Sequence, residues 1–462
     1  MNRIRTDRIN TLLHDDETRD RGFTLIEVLV AMMVFAIISV IVAYSLTLSM
    51  SLTRNSRSSE VAANLAAQQI DVARATPDLF DINSGTVTQT IDGTTYTITK
   101  SVGWVNSSGA ASDCGSGSGI LQNKTLNVSV TWDGKNVSKN PVQASTLLAP
   151  AGPINDPNTG TIIVHVTTAS GAALSGVPVT AKTDSSVSPN TATTVPTAPD
   201  PTDADGCSYV LKVTPGTYVV TIGSTGDGRI SSKQVQVPSA QTTVTSGQSS
   251  VVDIQYDTAA TPTNYLAPGA PLGTLFPLSL PMTYAPQGDA YSTTVTPLTV
   301  VAVTSVTVPL FPYTSGYSVF AGQYVPAGGG QPQCLSVDPG QWVNPNASGN
   351  VGKRPGASIG TVAMPLVTIS TSSKWLVAVS AAAAPAIGDP GCATGMTIAY
   401  PKSALNSATI ALPYGSWKLY ALSNKTDPLT NSALVDSSKI TLPAGSPPFT
   451  GANIFTLDPR QP

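Results

Sequence analysis

The chain has 462 residues, room for three or four domains of about 100–150 residues each. Charged residues make up 11%, against about 25% in an average soluble protein, and the net charge of −3 argues against an electrostatic nucleic-acid binder. Only two histidines are present, His14 and His165, which disfavours a His-based metal centre or proton relay; 38 Gly and 37 Pro favour turns and short strands over helical bundles.

From Val28 to Thr53 no residue is charged, and the run contains neither Pro nor Gly. About 20 apolar residues span a bilayer as a helix, so a membrane span is expected over about residues 23–50. A charged stretch ending Asp20-Arg21-Gly22 comes immediately before it. A cleaved secretory signal would instead have an apolar core of about 7–15 residues with a small-residue cleavage site after it. Glu27 is the odd residue. A carboxylate at the edge of a membrane helix costs on the order of 1–3 kcal/mol and usually has a partner. On the residues alone two readings stay open. Either Glu27 snorkels to the headgroups of a simple anchor, or a cut after Gly22 makes Phe23 a charged N-terminus one helical turn away. Beyond the span, Val61, Ala62, Leu65, Ala66, Gln69, Ile70 and Ala73 form a stripe at helical spacing until Pro77 ends it. The periodicity predicts one helix over residues 23–76, its first half in lipid and its second on a sheet.

Thr86–Ile91 and Thr94–Thr99 alternate with the period of half-buried strands, and Asp92-Gly93 between them is a strong hairpin signal. A third strand has Leu126, Val128, Val130 and Trp132 on one face and Asn127, Ser129 and Thr131 on the other. A long helix and such a meander bury their apolar faces against each other, giving a head over residues 77–150. Ser107–Gly119, which holds Cys114, is expected as a surface loop, and Ala149–Pro153 as a linker.

A further 309 residues follow Pro153. Short alternating segments separated by turn signals predict an all-β sandwich over 160–257, with 184–202 as a flexible excursion. A proline-containing β-rich domain is expected over 258–345 and a last sandwich over 355–462. Lys212–Val220 and Ala411–Leu419 form a faint repeat: a strand ends at a Pro/Gly turn and an aromatic residue, Tyr218 or Trp417, opens the next. Asp200, Asp203 and Asp205 lack the other ligands of an EF-hand loop and read as a solvated turn. The four cysteines include no CxxC pair, and an even number outside the membrane favours disulfides. Three connectivities are open. Cys334 with Cys392 is preferred, and Cys114 with Cys207 would tie the head to the first sandwich. His165, in Ile162–Val166, points outward or between sheets. Tyr313, Tyr317, Phe320, Trp342 and Trp417 read as core packing before a binding surface. No nucleophile elbow, phosphate loop or HExxH pattern occurs, so neither an enzyme nor a cofactor or metal is expected.

Arg21-Gly22-Phe23-Thr24-Leu25-Ile26-Glu27-Val28-Leu29-Val30 resembles the processing site of type IV prepilins and type II secretion pseudopilins. The resemblance implies a leader over 1–22, cleavage between Gly22 and Phe23 by a membrane prepilin peptidase, and N-methylation of Phe23. It also implies that Glu27 registers subunits by pairing with a neighbour's N-terminus. Glu27-Val-Leu-Val-Ala-Met32 further resembles PilV-type minor pilins and the corresponding pseudopilins, and the absence of a proline between Phe23 and Arg74 disfavours a major subunit. Ser170–Val179, Thr202–Gly206 and Pro215–Tyr218 resemble the Cna-B and carboxypeptidase-regulatory-like sandwiches of bacterial surface proteins. Many Cna-B domains carry a Lys–Asn isopeptide bond. Here the first strand lacks lysine and the last lacks asparagine, so none is expected.

The fold class expected is therefore an α+β pilin module followed by two or three all-β Ig-like or prealbumin-like sandwiches. The function expected is that of a modular minor pilin, sparse or at the pilus tip, serving adhesion or assembly priming. A minor pseudopilin of a type II secretion-like or DNA-uptake system is the alternative. The partners expected are the prepilin peptidase, other pilins or pseudopilins through the N-terminal helix, the membrane, and a surface or host ligand, with no nucleic acid. The chain would span the cytoplasmic membrane once, N-terminus inside, before joining the extracellular pilus.

Overall fold

The computed structural model describes residues 24–460 apart from 108, 110, 116–119, 134–140, 151, 153, 155, 287–295, 301–304, 327–333, 343–359, 382–387, 393, 394, 405 and 452. It begins with one long helix, α1 (Leu25–Ala75), about 75 Å at 1.5 Å per residue. Beta structure follows: β1 (Gly85–Ile91), β2 (Thr94–Asn106), β3 (Ala111–Ser112), β4 (Leu121–Trp132) and β5 (Val142–Leu148). These strands form one sheet in the order β1-β2-β4-β5, with β3 paired to β2. The β1–β2 turn has positive φ at both Asp92 (48°) and Gly93 (74°), the type I′ geometry that suits a two-residue hairpin.

The chain divides into two compact units. The first holds the helix with Thr86–Lys100 and Asn127–Ser145. Its interior is the stripe Ser58, Ala62, Leu65, Ala66, Ile70 and Ala73 of α1, with Tyr96, Ile98, Val128, Val130 and Trp132 from the strands.

The second unit holds Thr76–Gly85, Ser101–Leu126 and everything from Thr146 onward. The strands that follow are β6 (Gly160–Thr167), β7 (Val179–Thr183), β8 (Cys207–Val213), β9 (Gly216–Ile222), β10 (Arg229–Ser231), β11 (Ser239–Val244) and β12 (Ser249–Thr258). They make two sheets, β10-β12-β6-β8 and β11-β9-β7. Between the sheets lies a core that includes Ile162, Val164, Val210, Tyr218, Val220 and Tyr256. The first and last strands, β6 and β12, pair in parallel from Thr161↔Ser249 to Thr167↔Gln255.

The segment 184–202, expected as a flexible excursion, is laid against this sandwich. The Asn190 side chain makes four backbone hydrogen bonds: Nδ2 donates to the carbonyls of Asp184 and Thr217, while Oδ1 accepts from the amides of Ala192 and Thr217. Ala192 and Val195 then pack on the core. A polar, proline-containing stretch is ordered here because one amide satisfies the backbone on both sides of it.

From 259 onward the described strands that matter here are β13 (Thr263–Leu266), β14 (Leu280–Pro286), β15 (Thr296–Val300), β16 (Ser305–Thr307), β17 (Tyr317–Ala321), β18 (Thr361–Val362), β19 (Leu366–Ser370), β20 (Trp375–Ser380), β21 (Thr397–Ala399), β22 (Ser407–Ala411), β23 (Gly415–Leu422), β24 (Ile440–Thr441) and β25 (Phe455–Leu457). They form small sheets such as β15-β14-β17 and β21-β20-β23-β25. A large buried cluster runs through them from Leu266 to Leu457, drawing on both segments that the sequence sets apart at about 345–355, with a smaller one at Ala285, Phe320, Leu335 and Val337. Leu275 bridges Ile410, and Leu278 N donates to the carbonyl of Ala399, so residues before 345 are hydrogen-bonded to strands after 355. Tyr317, Phe320, Trp342 and Trp417 are buried in this region as packing residues.

Candidate functional site

Two places concentrate the chemistry: the start of α1, and a joint inside the second unit. Gly22 and Phe23 lie outside the described residues. Thr24 opens the helix: its carbonyl accepts from the amides of Glu27 and Val28, and its Oγ1 lies 3.4 Å from Glu27 Oε2. From Leu25 to Leu52 the large apolar side chains Leu25, Ile26, Leu29, Met32, Met33, Phe35, Ile38, Ile41 and Leu52 are all exposed. Apolar surface on that scale is not stable in water, so this half of α1 is built to be covered by lipid or by other helices. Glu27 is the one charged group on it.

The joint is built from four stretches distant in sequence. The structure joins Cys114 to Cys207 across 93 residues, with Cys114 buried; the loop expected at the surface is folded in because β3 pairs with Trp104 and Val105 of β2. Phe80, Trp104 and Tyr209 pack with ring centroids 4.8–6.1 Å apart, and Trp104 Nε1 donates to Tyr209 Oη at 2.9 Å. Lys124, 2% exposed, donates to the Ile82 carbonyl at 2.7 Å and lies 4.8 Å over the Trp104 ring. Asp203 Oδ1 accepts from the amides of Asp205 and Cys207, and Asp205 Oδ2 accepts from Ser84 N. The Asp203/Asp205 turn is thus the acidic side of a packed joint, not the solvated turn expected; Asp200 stays exposed beside it.

Burial governs the titration of these groups. Desolvation lowers the Lys124 amine to about 8, against the attraction of Asp203, Asp205, Asp78 and Asp81. Burial raises Asp203, although its amide donors and Lys124 oppose this. The Tyr209 phenol is pushed well up by burial, and Asp203 adds to the shift. Sequence reading missed Lys124, yet a signal was present. It shares the inward parity of Leu126, Val128, Val130 and Trp132 on β4, so the alternation points it into the protein.

The other expected positions fall as follows. Cys334 is joined to Cys392. His165 Nδ1 lies 3.0 Å from Asp253 Oδ1, its register partner on β12, with the imidazole half-buried. Among the described residues, no group of three His, Cys, Asp or Glu is placed to hold a metal ion.

A family model for the prokaryotic N-terminal methylation motif matches residues 18–43. The chain therefore carries a prepilin-type N-terminal motif, which implies processing by prepilin peptidase and assembly with other pilins and, with the apolar helix, fits membrane anchoring. No curated protein matches the sequence significantly. Among solved structures, the Bacillus anthracis TIE protein is 11% identical over 78% of this chain and 73% of its own, with a TM-score of 0.19. A streptococcal ancillary pilin is 13% identical, covering 52% and 74%, with a TM-score of 0.19. BcpA, the major pilin subunit of Bacillus cereus, is 13% identical, covering 60% and 91%, with a TM-score of 0.19.

Proposed function

We propose that the protein is a modular minor pilin, cut between Gly22 and Phe23, methylated on Phe23, and held in the filament by Glu27 pairing with the N-terminal amine of a neighbouring subunit. The observation that carries this reading is the single carboxylate, Glu27, at the head of the exposed apolar half of α1, Leu25–Leu52, which carries no other charge. Once lipid or neighbouring helices cover it, such an acid needs a cation, and the newly made N-terminus of a neighbouring subunit supplies it. Some 300 residues beyond the head would crowd a helical filament if every subunit carried them. Sparse or tip incorporation follows, with the β modules facing outward as an adhesin for a surface or host ligand, as an assembly primer, or as both. In the membrane before assembly, the N-terminus lies inside and the β modules outside.

Mass spectrometry of the mature chain is expected to find methylated phenylalanine as the first residue; an intact leader overturns the reading. Glu27→Ala is expected to leave the protein in the membrane fraction and lower its recovery in sheared filaments at least tenfold. Deleting the extension while scoring filament number and attachment separately divides priming from adhesion. Loss of secreted cargo with filaments unchanged would mark a pseudopilin instead.

A further inference from the structure

The joint inside the second unit combines a buried cation, an aromatic cluster and a disulfide. Lys124 is buried with its ammonium over an aromatic ring, an arrangement that water would compete for. Asp205 and Asp203 face it from the β7–β8 connection, Asp78 and Asp81 from the chain before β1, and the Tyr209 phenol lies alongside from β8. Direct hydrogen bonds between the head-side segments and the sandwich include Ser84 N to Asp205, Trp104 to Tyr209, and the Asn83 amide to Asp203 in the orientation its neighbours require. Against this stands one bond that closes a loop of 93 residues, and cross-linking a long loop is where a disulfide restrains the open ensemble most.

We propose that Cys114–Cys207 is an oxidation-dependent latch: the Thr76–Gly85 and Ser101–Leu126 segments dock on the first sandwich only once this bond has formed. Closure is a thiol–disulfide exchange. The Cys114 and Cys207 thiols together lose two protons and two electrons to an envelope disulfide donor, which leaves as two thiols. The chain would therefore leave the reducing side of the membrane with its extension loosely tethered and stiffen outside. This deepens the surface-display reading, but its test uses the purified full chain and leaves that reading untouched whichever way it falls.

The readout is Lys124 itself. Full-length protein in detergent is treated with an amine-acylating ester at pH 8, and labelling is followed by peptide mass spectrometry, with exposed Lys182 as reference. In the oxidised protein Lys124 is expected to react at least tenfold more slowly than Lys182. In Cys114→Ser/Cys207→Ser the two rates should converge, while amide exchange in Leu366–Ser370 stays slow. If that variant does not fold, wild type reduced after folding, compared with a Cys334→Ala/Cys392→Ala background, reads the same quantity. Lys124 remaining protected without the Cys114–Cys207 bond overturns the latch.

Discussion

The first sandwich and the C-terminal body turn the same corner and seal it differently. Tyr218 and Trp417 are both buried, and each reaches back four residues to a carbonyl: Tyr218 Oη donates to Thr214 at 2.8 Å, Trp417 Nε1 to Pro413 at 2.9 Å. Each follows a glycine of positive φ, Gly216 at 152° and Gly415 at 133°. Over Gly216 lies Ala192, whose amide donates to Asn190 Oδ1 while the other three hydrogen bonds of Asn190 fix Asp184 and Thr217 beside it. Near Gly415 lies Ser336, whose Oγ accepts from Cys392 N and whose loop is bonded to Cys392 through Cys334. One corner is covered by an amide network and the other by a cross-link. A local turn fixes where an aromatic residue goes, while the cover is whatever distant segment the fold brings there.

That comparison breaks most severely at the aromatic residue. Trp417→Ala should cost the C-terminal body about 3–5 kcal/mol, seen as an early thermal transition by calorimetry while amide exchange in β6 and β12 is unchanged. Cys334→Ala/Cys392→Ala should cost about 3–4 kcal/mol at the same corner and make it insensitive to reductant, while leaving amide exchange at the Asn190-covered corner unchanged. An exchange profile showing both corners loosening would refute the distinction.

Between these effects and the smaller ones lies the joint. Lys124 titrates near 8 when folded and near the ordinary lysine value, about 10.4, when unfolded. Below pH 8 both states hold the proton and the desolvation cost is paid in full. From about 8 to 10 only the unfolded state holds it, so unfolding takes up a proton and stability rises with pH, by up to about 3 kcal/mol. Above about 10 the sign reverses, because buried Tyr284, raised to about 12, and Tyr317, raised further, ionise more readily once unfolded. Denaturant titrations across pH should show a maximum near 10, and Lys124→Met should remove the rise below it. The smallest change expected is Asn190→Ala, about 2 kcal/mol from backbone groups left without partners. Protease sensitivity should then appear within 184–202.

Much of the architecture was open to a reader of the chain. The stripe from Ala62 to Ala73, the Asp92-Gly93 hairpin, the alternation of β4 and the paired Tyr218 and Trp417 corners all depend on residues within a few positions of one another. Helical and strand periods and positive-φ turns are set by neighbours along the chain, which is why pattern alone finds them. The prepilin-type segment is of the same kind, a contiguous motif whose chemistry needs no fold to be recognised. Tertiary structure alone decided which cysteines meet, that half-buried Asp203 and Asp205 lie near Lys124, and that a common core draws on residues from Leu266 to Leu457. Each of those depends on groups tens of residues apart reaching the same low-dielectric place, and spacing along a chain carries no record of distance across a fold.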